Sequence, residues 1–415
     1  MPVEARLNFG RAVALPTARA HSGALWLLAA ASAGALLGLP WLSSAANRLV
    51  SGQPLWLLPL LCGPHALPVA VVLVTTGILV GLCAFPPCRA RLLAMLILVM
   101  ALIPGLLWLA GAQASAAGQS ASPMSRTMLA SGFWLAWALL ALLLAEVMQR
   151  LQLAPVVRAL VALSVAVAVG GVLVSSRCDE LSLLQEFASR SEVFWSALGR
   201  HLLMVTASLG LTLLIGLPLG VWSHYRLVAR RLLMPALNVL QTIPSIALFG
   251  LLMAPLAWLG TAVPALGRGG LSGVGFAPAV LALTLYALLP VVRGVLSGLA
   301  QTPAGVLQAA RSLGLSGGQT LRWVALPLAL PVLLVGVRTA LVQLVGLAAV
   351  AALIGAGGLG AILFEGLFSA AQDVVLLAVL PIVALGVAAD AVCSAAARMT
   401  RMSRVRAVLA CAAQT

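Results

Sequence analysis

The sequence predicts an all-α protein, a polytopic transmembrane helical bundle of about ten spans. Hydrophobic residues make up 62% of the 415 residues and charged residues only 8%, against about 25% charged in an ordinary soluble domain. A water-soluble fold of this length could not bury so much apolar surface. Apolar runs with the length of a membrane crossing recur along the chain, and the arginines alternate in density between the segments that join them. A soluble enzyme, a coiled coil and a disordered chain are therefore excluded.

Ten apolar runs are long enough to cross a bilayer, for which a helix needs roughly 20 residues. Prolines lie at both ends of the second run, which makes it the least regular of the ten. The runs lie at 24–42, 67–86, 92–111, 132–149, 156–175, 202–222, 236–258, 275–296, 328–354 and 374–396.

The basic residues, all 24 of them arginines, predict how the spans are oriented. With the N-terminus in the cytoplasm, 16 arginines fall in cytoplasmic segments, six in external segments and two within spans. This excess obeys the positive-inside rule, and ten crossings return the C-terminus to the cytoplasm. The net charge of +15 is therefore a topology signal and an attraction to anionic membrane lipid. It does not predict a nucleic-acid partner.

A polar segment divides the spans into two groups of five. Residues 176–201 hold four of the nine acidic residues and are predicted to form an external amphipathic connector. The N-terminal membrane module is predicted at 1–175, the second module at 202–398, and a cytoplasmic basic tail at 399–415. No convincing sequence repeat relates the two modules, so an inverted-repeat secondary transporter is not supported.

Several kinds of chemistry are absent from the sequence. The chain has no lysine, so it cannot form a standard P-loop, whose lysine holds the phosphates of a nucleotide, or a Schiff base. The six cysteines include no C-x-x-C pair, and the four histidines lack metal-ligand spacing. We therefore predict no catalytic residue, no metal and no cofactor, and a chain that is not itself an enzyme.

One cytoplasmic loop, residues 299–327, carries clear signals for ordered structure. Thr302 is a good candidate N-cap, because its hydroxyl can accept a hydrogen bond from a free backbone N–H group. Pro303 would then occupy the first helical position, where its missing N–H group costs nothing. Gly314 lies where a helix often ends with a left-handed residue. These signals predict a short helix between Pro303 and Gly314.

The rest of this loop predicts a second short helix. Ser316 and Gln319 have the spacing of a capping box, and Pro327 is predicted to mark the turn back into the membrane. A helix–turn–helix could bind DNA, but this one lies between two spans and has no second basic face. A surface helix pair that merely links two spans is one alternative, and a pair that docks into a groove of a partner protein is the other.

The docking interpretation is favoured by a resemblance. The pattern Ala-Ala-x-x-x-Gly, then nine residues, then Val-x-Leu-Pro is similar to the EAA loop of ABC-importer permeases, usually written E-A-A-x-x-x-G-x9-I-x-L-P. Glutamine replaces the glutamate of the motif, which keeps a hydrogen-bond acceptor but loses the charge. The matching residues are Gln308, Ala309, Ala310, Gly314, Val324, Leu326 and Pro327. The resemblance implies that this loop couples the permease to an ATPase.

The resemblance extends over about 195–398 and implies a five-span, MetI-like permease core. Stretches at 238–252, 281–299 and 326–367 resemble the osmoprotectant branch, whose members carry glycine betaine, choline or carnitine. An added membrane module in front resembles the Yeh-type glycine betaine permeases in particular. The implied function is the membrane subunit of an ATP-driven, binding-protein-dependent importer that works by alternating access. A permease for another small polar solute, such as an amino acid or a sulfonate, and a secondary transporter are the alternatives.

The same resemblance implies partners and a location. They are cytoplasmic ABC ATPase subunits, a periplasmic or lipid-anchored solute-binding protein, and a second permease core, either a second copy or a sister permease. A multi-pass protein of the bacterial cytoplasmic (inner) membrane follows, with both termini in the cytoplasm. The resemblance gives no role to residues 1–175.

Polar residues within the core spans are candidates for the translocation path. A helix broken at Pro244 would expose backbone carbonyls to a cavity, although simple interhelical hydrogen bonding explains the same polar residues. Tyr286 could attract a quaternary ammonium through its ring or be a packed aromatic. Arg338 could meet a carboxylate or be structural. The candidates are Asn238, Gln241, Thr242, Pro244, Ser245, Tyr286 and Arg338.

The glycine-rich segment 354–360 ends the ninth predicted span. Glycines here favour either a flexible external gate or close backbone packing between helices. The sequence does not choose between them.

Overall fold

A computed structural model describes the chain as two compact units, which divide between Gln185 and Glu186. Residues 1–19 of the predicted N-terminal module and 413–415 of the predicted tail lie outside the described residues. The described residues are 20–47, 52–120, 125–268, 270 and 273–412.

The N-terminal unit is built from five long helices. Helices α1, α3 and α4 pack around a core that contains Trp41, Leu106 and Phe133, each at most 1% exposed. Helix α5 has no buried residue, so its apolar surface is free to face lipid. The helices are α1 (Ala20–Gly38), α2 (Ala66–Cys83), α3 (Arg89–Ser120), α4 (Ser131–Arg150) and α5 (Pro155–Val174), with short 3-10 turns at Leu58–Cys62 and Ser176–Cys178.

A small antiparallel sheet, absent from the all-α prediction, joins the predicted external segments of this unit. Its strands are β1 (Leu42–Ala45), β2 (Gln53–Leu55) and β3 (Arg126–Leu129), in the order β2-β1-β3. Leu42 of β1 lies opposite a leucine of each neighbouring strand. Strands of three or four residues are too short to produce an alternating hydrophobic pattern, which explains why the sequence did not reveal them.

The central helix of the C-terminal unit is α11 (Phe276–Ala300), which packs against α7 (Ser191–Tyr225) and α14 (Leu326–Val350). The boundary between the two units, after Gln185, falls within helix α6 (Ser182–Ser189). The remaining helices are α8 (Leu227–Thr242), α9 (Ser245–Ala262), α10 (Pro264–Arg268), α12 (Ala304–Ser312), α13 (Gly317–Gln319), α15 (Leu359–Phe368) and α16 (Gln372–Ala412), with a π-helical segment at Thr320–Ala325 and a 3-10 turn at Ala351–Ile354.

The helical membrane fold is confirmed. Within the described residues, nine helices are long and apolar enough to cross a membrane. The first predicted span, 24–42, corresponds instead to a shorter apolar helix, Gly23–Gly38. The chain is a multi-pass membrane protein.

Three predicted boundaries differ from the structure. Helix α7 begins at Ser191, so the second half of the predicted connector 176–201 is the start of a long helix. No proline or glycine pair interrupts that stretch, and Glu192 favours its positive N-terminal end. Helix α16 continues to Ala412 through most of the predicted tail.

The third difference concerns the predicted span 236–258, which is divided into two helices, in agreement with the interpretation of a helix broken at Pro244. Helix α8 ends at Thr242 and α9 begins at Ser245. Ile243 and Pro244 are both extended, with ψ of 126° and 137°. A proline disfavours the helical conformation of the residue before it, which fixes the break at this point.

Candidate functional site

The predicted cytoplasmic loop folds as a short helix followed by a turn and a long helix. Pro303 is the N-cap of α12, so this helix begins one residue later than predicted. Thr302 is therefore not the N-cap: its hydroxyl is buried and has no hydrogen-bond partner in the described part of the chain. Because Pro303 is extended, with ψ of 131°, Thr302 lies outside the first helical turn.

Gly314 ends this helix in the predicted left-handed conformation, with φ of +80°. The N–H group of Leu315 donates to the carbonyl of Ala310 at 3.2 Å, which is the long hydrogen bond of a Schellman turn. A Cβ atom at Gly314 would meet no atom within 4 Å. Glycine is needed here for its backbone conformation and not for space.

The predicted capping box is present in the second half of the loop. The hydroxyl of Ser316 accepts from the N–H group of Gln319 at 3.3 Å, and the Gln319 side chain accepts from the Ser316 N–H group at 2.8 Å. From Gly317 the chain then stays helical as far as Ile354. The capped turn is the N-terminus of a long helix, and not a separate short one.

The prediction that Pro327 marks the turn back into the membrane is therefore wrong. Pro327 lies in the first turn of α14, after the π-helical segment Thr320–Ala325. The N–H group of Leu326 donates to Leu321, five residues back. This wider turn accommodates a proline, which has no N–H group to continue the usual ladder.

Apolar side chains fasten the loop to its own helices. Leu307 of α12 and Leu321 of the π-helical segment pack against the core cluster that includes Leu299, Ala325 and Ala329. Ala310 is only 5% exposed. The loop is thus a packed extension of α11 and α14.

The opposite face of the loop is free in this chain. Leu313 and Trp323 are 82% and 61% exposed, and Gln308 and Ala309 are also exposed. The remaining motif positions divide: Val324 and Leu326 are half-buried, and Pro327 is exposed. A loop with one fastened face and one exposed face of this kind has the form of a docking surface.

An open cavity of about 540 Å³, lined by both polar and apolar residues, lies between α11 and α14. Each helix presents one stripe of residues to it, at the spacing i, i+4, i+7, i+11 that places side chains on one helix face. The α11 stripe ends in the capping residue Gln301. The lining residues are Gln241 of α8, then Leu289, Pro290, Arg293, Gly294, Ser297 and Gln301, and on α14 Val332, Val335, Gly336, Thr339 and Gln343.

Two glycines set the spacing of the helices behind this cavity. A Cβ atom at Gly336 would lie 2.5 Å from the carbonyl oxygen of Pro290, and one at Gly294 would lie 3.0 Å from the Cα atom of Gly336. These distances leave no room for a side chain. The backbones of α11 and α14 therefore touch at this level.

Of the predicted path residues, Gln241 alone lines this cavity. Its amide donates to the carbonyl of Tyr286 at 2.8 Å. The Tyr286 hydroxyl donates to the carbonyl of Ile243, and the residue is 4% exposed. The structure thus places Tyr286 in the packed core, where it holds the break between α8 and α9.

The other candidates around Pro244 make local contacts. The hydroxyl of Thr242 donates to Val239 of its own helix at 2.7 Å. Pro244 is the N-cap of α9, and Ser245 is its first residue. Asn238 accepts a hydrogen bond from Arg293, which does line the cavity. Asn238 is therefore connected to the cavity only through its hydrogen bond with Arg293.

The two arginines within the core spans have different surroundings. Arg338 forms an ion pair with Asp390 of α16 and does not line the cavity. Arg293, which sequence reasoning did not select, does line it. The signal that could have found it is its place in the polar stripe with Ser297 and Gln301, one helical face away from the apolar residues of α11.

The glycine-rich segment is a tight turn with close backbone packing. Gly355, Gly357 and Gly358 have positive φ angles between 76° and 77°. A Cβ atom at Gly360 would lie 1.9 Å from the carbonyl oxygen of Ala349. Close packing is thus the interpretation that the structure favours, and these glycines hold α15 against the end of α14.

An ion cluster lies at the predicted external end of the core. Arg190 pairs with Glu186 of α6, with 3.2 Å between its Nε and the carboxylate, and with Glu365 of α15. The hydrogen bond to Glu365 raises the pKa of Arg190 above its usual value, although burial opposes the shift. This cluster joins the segment before α7 to α15.

Comparison with known families assigns both parts of the chain. Residues 20–184 match the family described as ABC transporter permease YehY, N-terminal domain. Residues 213–401 match the family described as binding-protein-dependent transport system inner membrane component.

Individual proteins that are similar to this chain are also named as transport permeases. The osmoprotectant import permease protein OsmW of Salmonella typhimurium is 42% identical over 168 residues, which cover 40% of this chain and 73% of that protein. The choline transport system permease protein OpuBD of Bacillus subtilis is 31% identical over 210 residues, covering 50% and 85%. The ergothioneine transport permease/ergothioneine binding protein EgtU of Helicobacter pylori is 40% identical over 157 residues, covering 38% and 26%.

These matches confirm the resemblance to the osmoprotectant permeases and to their Yeh-type members. Permeases of this family are transport subunits and not catalysts. The chain therefore belongs to the inner-membrane permease family of binding-protein-dependent ABC transporters, with a YehY-type domain in front of the permease core.

Proposed function

We propose that this chain is the permease subunit of an ATP-driven importer for a compatible solute, glycine betaine or a related quaternary ammonium compound. The observation that carries the proposal is that the EAA-type loop is continuous with α14, which forms one wall of the cavity around Arg293. The solute class is supported by the relatives OsmW and OpuBD, named for osmoprotectant and choline transport.

The proposed mechanism uses this continuity. The chain is helical from Gly317 to Ile354, and a helix rises about 1.5 Å per residue. Gly336 of the cavity wall is thus roughly 30 Å along the same rod from the capped turn. Movement of α12, which is packed against the start of this rod, would tilt the wall of the cavity. The loop would thereby act as a lever between a motor and the solute path.

The motor is a separate ATPase in this proposal. The chain has no lysine and hence no standard P-loop, so ATP hydrolysis falls to a partner subunit. The exposed surface formed by Gln308, Ala309 and Leu313 would fit a groove on that partner. The small residue Ala310 lets α12 lie close to the membrane helices, and Gly314 provides the turn after it.

Further partners follow from the same function. A solute-binding protein would deliver the solute at the external side, an arrangement supported by EgtU, whose name joins a permease to a binding protein. A second permease core would close the open side of the cavity, where Arg293 and Thr339 are exposed in a single chain. Cytoplasmic termini and contact with anionic lipid complete the proposed arrangement in the inner membrane.

Reconstitution tests this proposal. The chain, its ATPase and its binding protein would be placed in proteoliposomes, and uptake of radiolabelled glycine betaine would be measured with and without ATP. We expect uptake that requires all three components. Uptake of an amino acid or a sulfonate in place of betaine would favour the second candidate, a permease for another small polar solute. Uptake without the ATPase would refute an ABC importer.

A further inference from the structure

The starting observation is a charge without a counter-charge in a core span. Arg293 lies seven residues before the end of α11, among apolar residues. Within the part of the chain that the structure describes, its side chain has one polar partner, the Asn238 side chain, and no carboxylate. An ionised group at this depth is expensive, and such residues usually mark a path for a polar solute.

Arg338 provides the internal comparison. It also lies within a core span, but Asp390 of α16 pairs with it. The charge of Arg338 is thus balanced by a carboxylate of the same chain, whereas Arg293 faces a cavity.

The cavity around Arg293 contains no acidic residue. Its polar lining consists of neutral side chains, three glutamines, one serine and one threonine, together with the arginine itself. A volume of about 540 Å³ is within the range of small-molecule sites. The charge in this cavity is therefore positive, and it favours the negative end of a solute.

The hydrogen bond to Asn238 leaves other donors of the Arg293 guanidinium available for a carboxylate. Asn238 accepts from one terminal nitrogen, Nη2, and a guanidinium has five N–H donors in a planar fork. The donors that remain suit a carboxylate, which can accept two parallel hydrogen bonds. Asn238 itself acts as a positioning residue that fixes the fork on α8.

We propose that Arg293 binds the carboxylate of a zwitterionic solute during its passage through the permease, with Asn238 orienting the guanidinium. This inference rests on the proposed function and specifies which end of the solute the cavity recognises. It replaces Arg338, the candidate of the sequence analysis, for the role of meeting a carboxylate.

The test compares Arg293→Gln and Arg293→Lys in the complete reconstituted importer, with radiolabelled glycine betaine as the probe. Two quantities are measured, betaine uptake and ATP hydrolysis stimulated by loaded binding protein. Arg293→Gln should lower uptake by roughly tenfold or more, the effect of losing a charged hydrogen bond, while stimulated hydrolysis stays within about twofold. Arg293→Lys, which keeps the charge but cannot form two parallel hydrogen bonds to a carboxylate, should recover part of the uptake.

Arg268→Gln is the matched control. It removes an exposed arginine outside the cavity, one that donates to the Pro264 carbonyl of its own helix at 3.4 Å, and it should leave both quantities unchanged. Betaine uptake by Arg293→Gln at the wild-type rate would overturn the inference. So would a parallel loss of uptake and hydrolysis that lysine does not restore, because that result describes a structural arginine. A wild-type importer that takes up no betaine would refute the proposed solute class itself, and this is seen before any variant is compared.

Discussion

Glycine has opposite roles in the coupling loop and in the cavity wall. At Gly314 the surroundings are empty and the backbone is left-handed, so only the conformation requires glycine. At Gly336 the helix is regular, but the backbone of α11 occupies the space where a side chain would begin. The first kind of glycine belongs to the loop that is proposed to dock onto an ATPase, and the second to a close contact between two helix backbones. This contrast indicates that the loop and the wall should fail in different ways.

The largest effect is expected from Gly336→Ala. The added methyl would lie 2.5 Å from the carbonyl of Pro290, and backbone atoms cannot move aside as a side chain can. Overpacking of a helix contact costs about 1–3 kcal/mol, so we expect a lower melting temperature of the purified permease and a loss of uptake.

Gly346→Ala is its matched control, on the same helix and with the same change. No atom lies within 4 Å of the Cβ it adds, so stability should be unchanged or slightly higher, since alanine favours helix. Equal melting temperatures of the two variants would remove the claim that α11 and α14 touch at Gly336.

Gly314→Val should uncouple ATP hydrolysis from solute uptake without unfolding the protein. A left-handed conformation costs a residue with a side chain about 1–2 kcal/mol, and more for a β-branched one, so the turn after α12 would be displaced. We expect about a tenfold loss of uptake per ATP hydrolysed, at an unchanged amount of protein in the membrane.

Gly305→Ala tests whether this effect is specific to the turn. Gly305 lies within α12 and has open space around it, so alanine should leave coupling intact. Normal coupled uptake by Gly314→Val would contradict the lever mechanism.

A smaller effect is expected from the ion pair between α14 and α16. Arg338→Gln leaves the Asp390 carboxylate without its partner, and because both side chains are partly exposed this should destabilise the permease by about 1 kcal/mol. The double variant with Asp390→Asn removes both charges and should recover most of this loss. Thermal unfolding of the single and double variants measures it, and additive losses would show that the two residues do not interact.

The smallest effect is expected from Ser316→Ala, which removes one half of the capping box. Loss of an N-cap costs about 0.5–2 kcal/mol, and here the site is exposed and the long helix has other support. We expect a slight decrease in thermal stability and nearly normal uptake. A loss of uptake as large as that of Gly314→Val would mean that the cap itself is part of the lever.

Features with a local cause could be predicted from the sequence. Hydropathy alone predicted the nine helices of the described residues that are long enough to cross a membrane, because each span needs an apolar run of fixed length, and it overestimated only the first run. Gly314 and the Ser316–Gln319 capping box were predicted because a turn and a cap depend on residues a few positions apart. The EAA spacing identified the loop for the same reason.

Features that depend on distant residues could not be predicted. The pairing of Arg338 with Asp390 joins residues 52 positions apart, so no local pattern indicates that Arg293 and not Arg338 faces the cavity. The contact at Gly336 depends on Pro290 of another helix. The continuity of the loop with α14 was missed because the π-helical segment absorbs Pro327, which a sequence pattern treats as a break.

Docking of the loop onto a separate ATPase can be tested directly. A photo-crosslinking benzophenone amino acid placed at Leu313 would be activated in membranes that contain the complete importer, and one at Leu367 of α15, also exposed, serves as the control. We expect position 313 to crosslink to the ATPase and position 367 not to crosslink to it. An ATPase crosslink from 367 with none from 313 would contradict this docking.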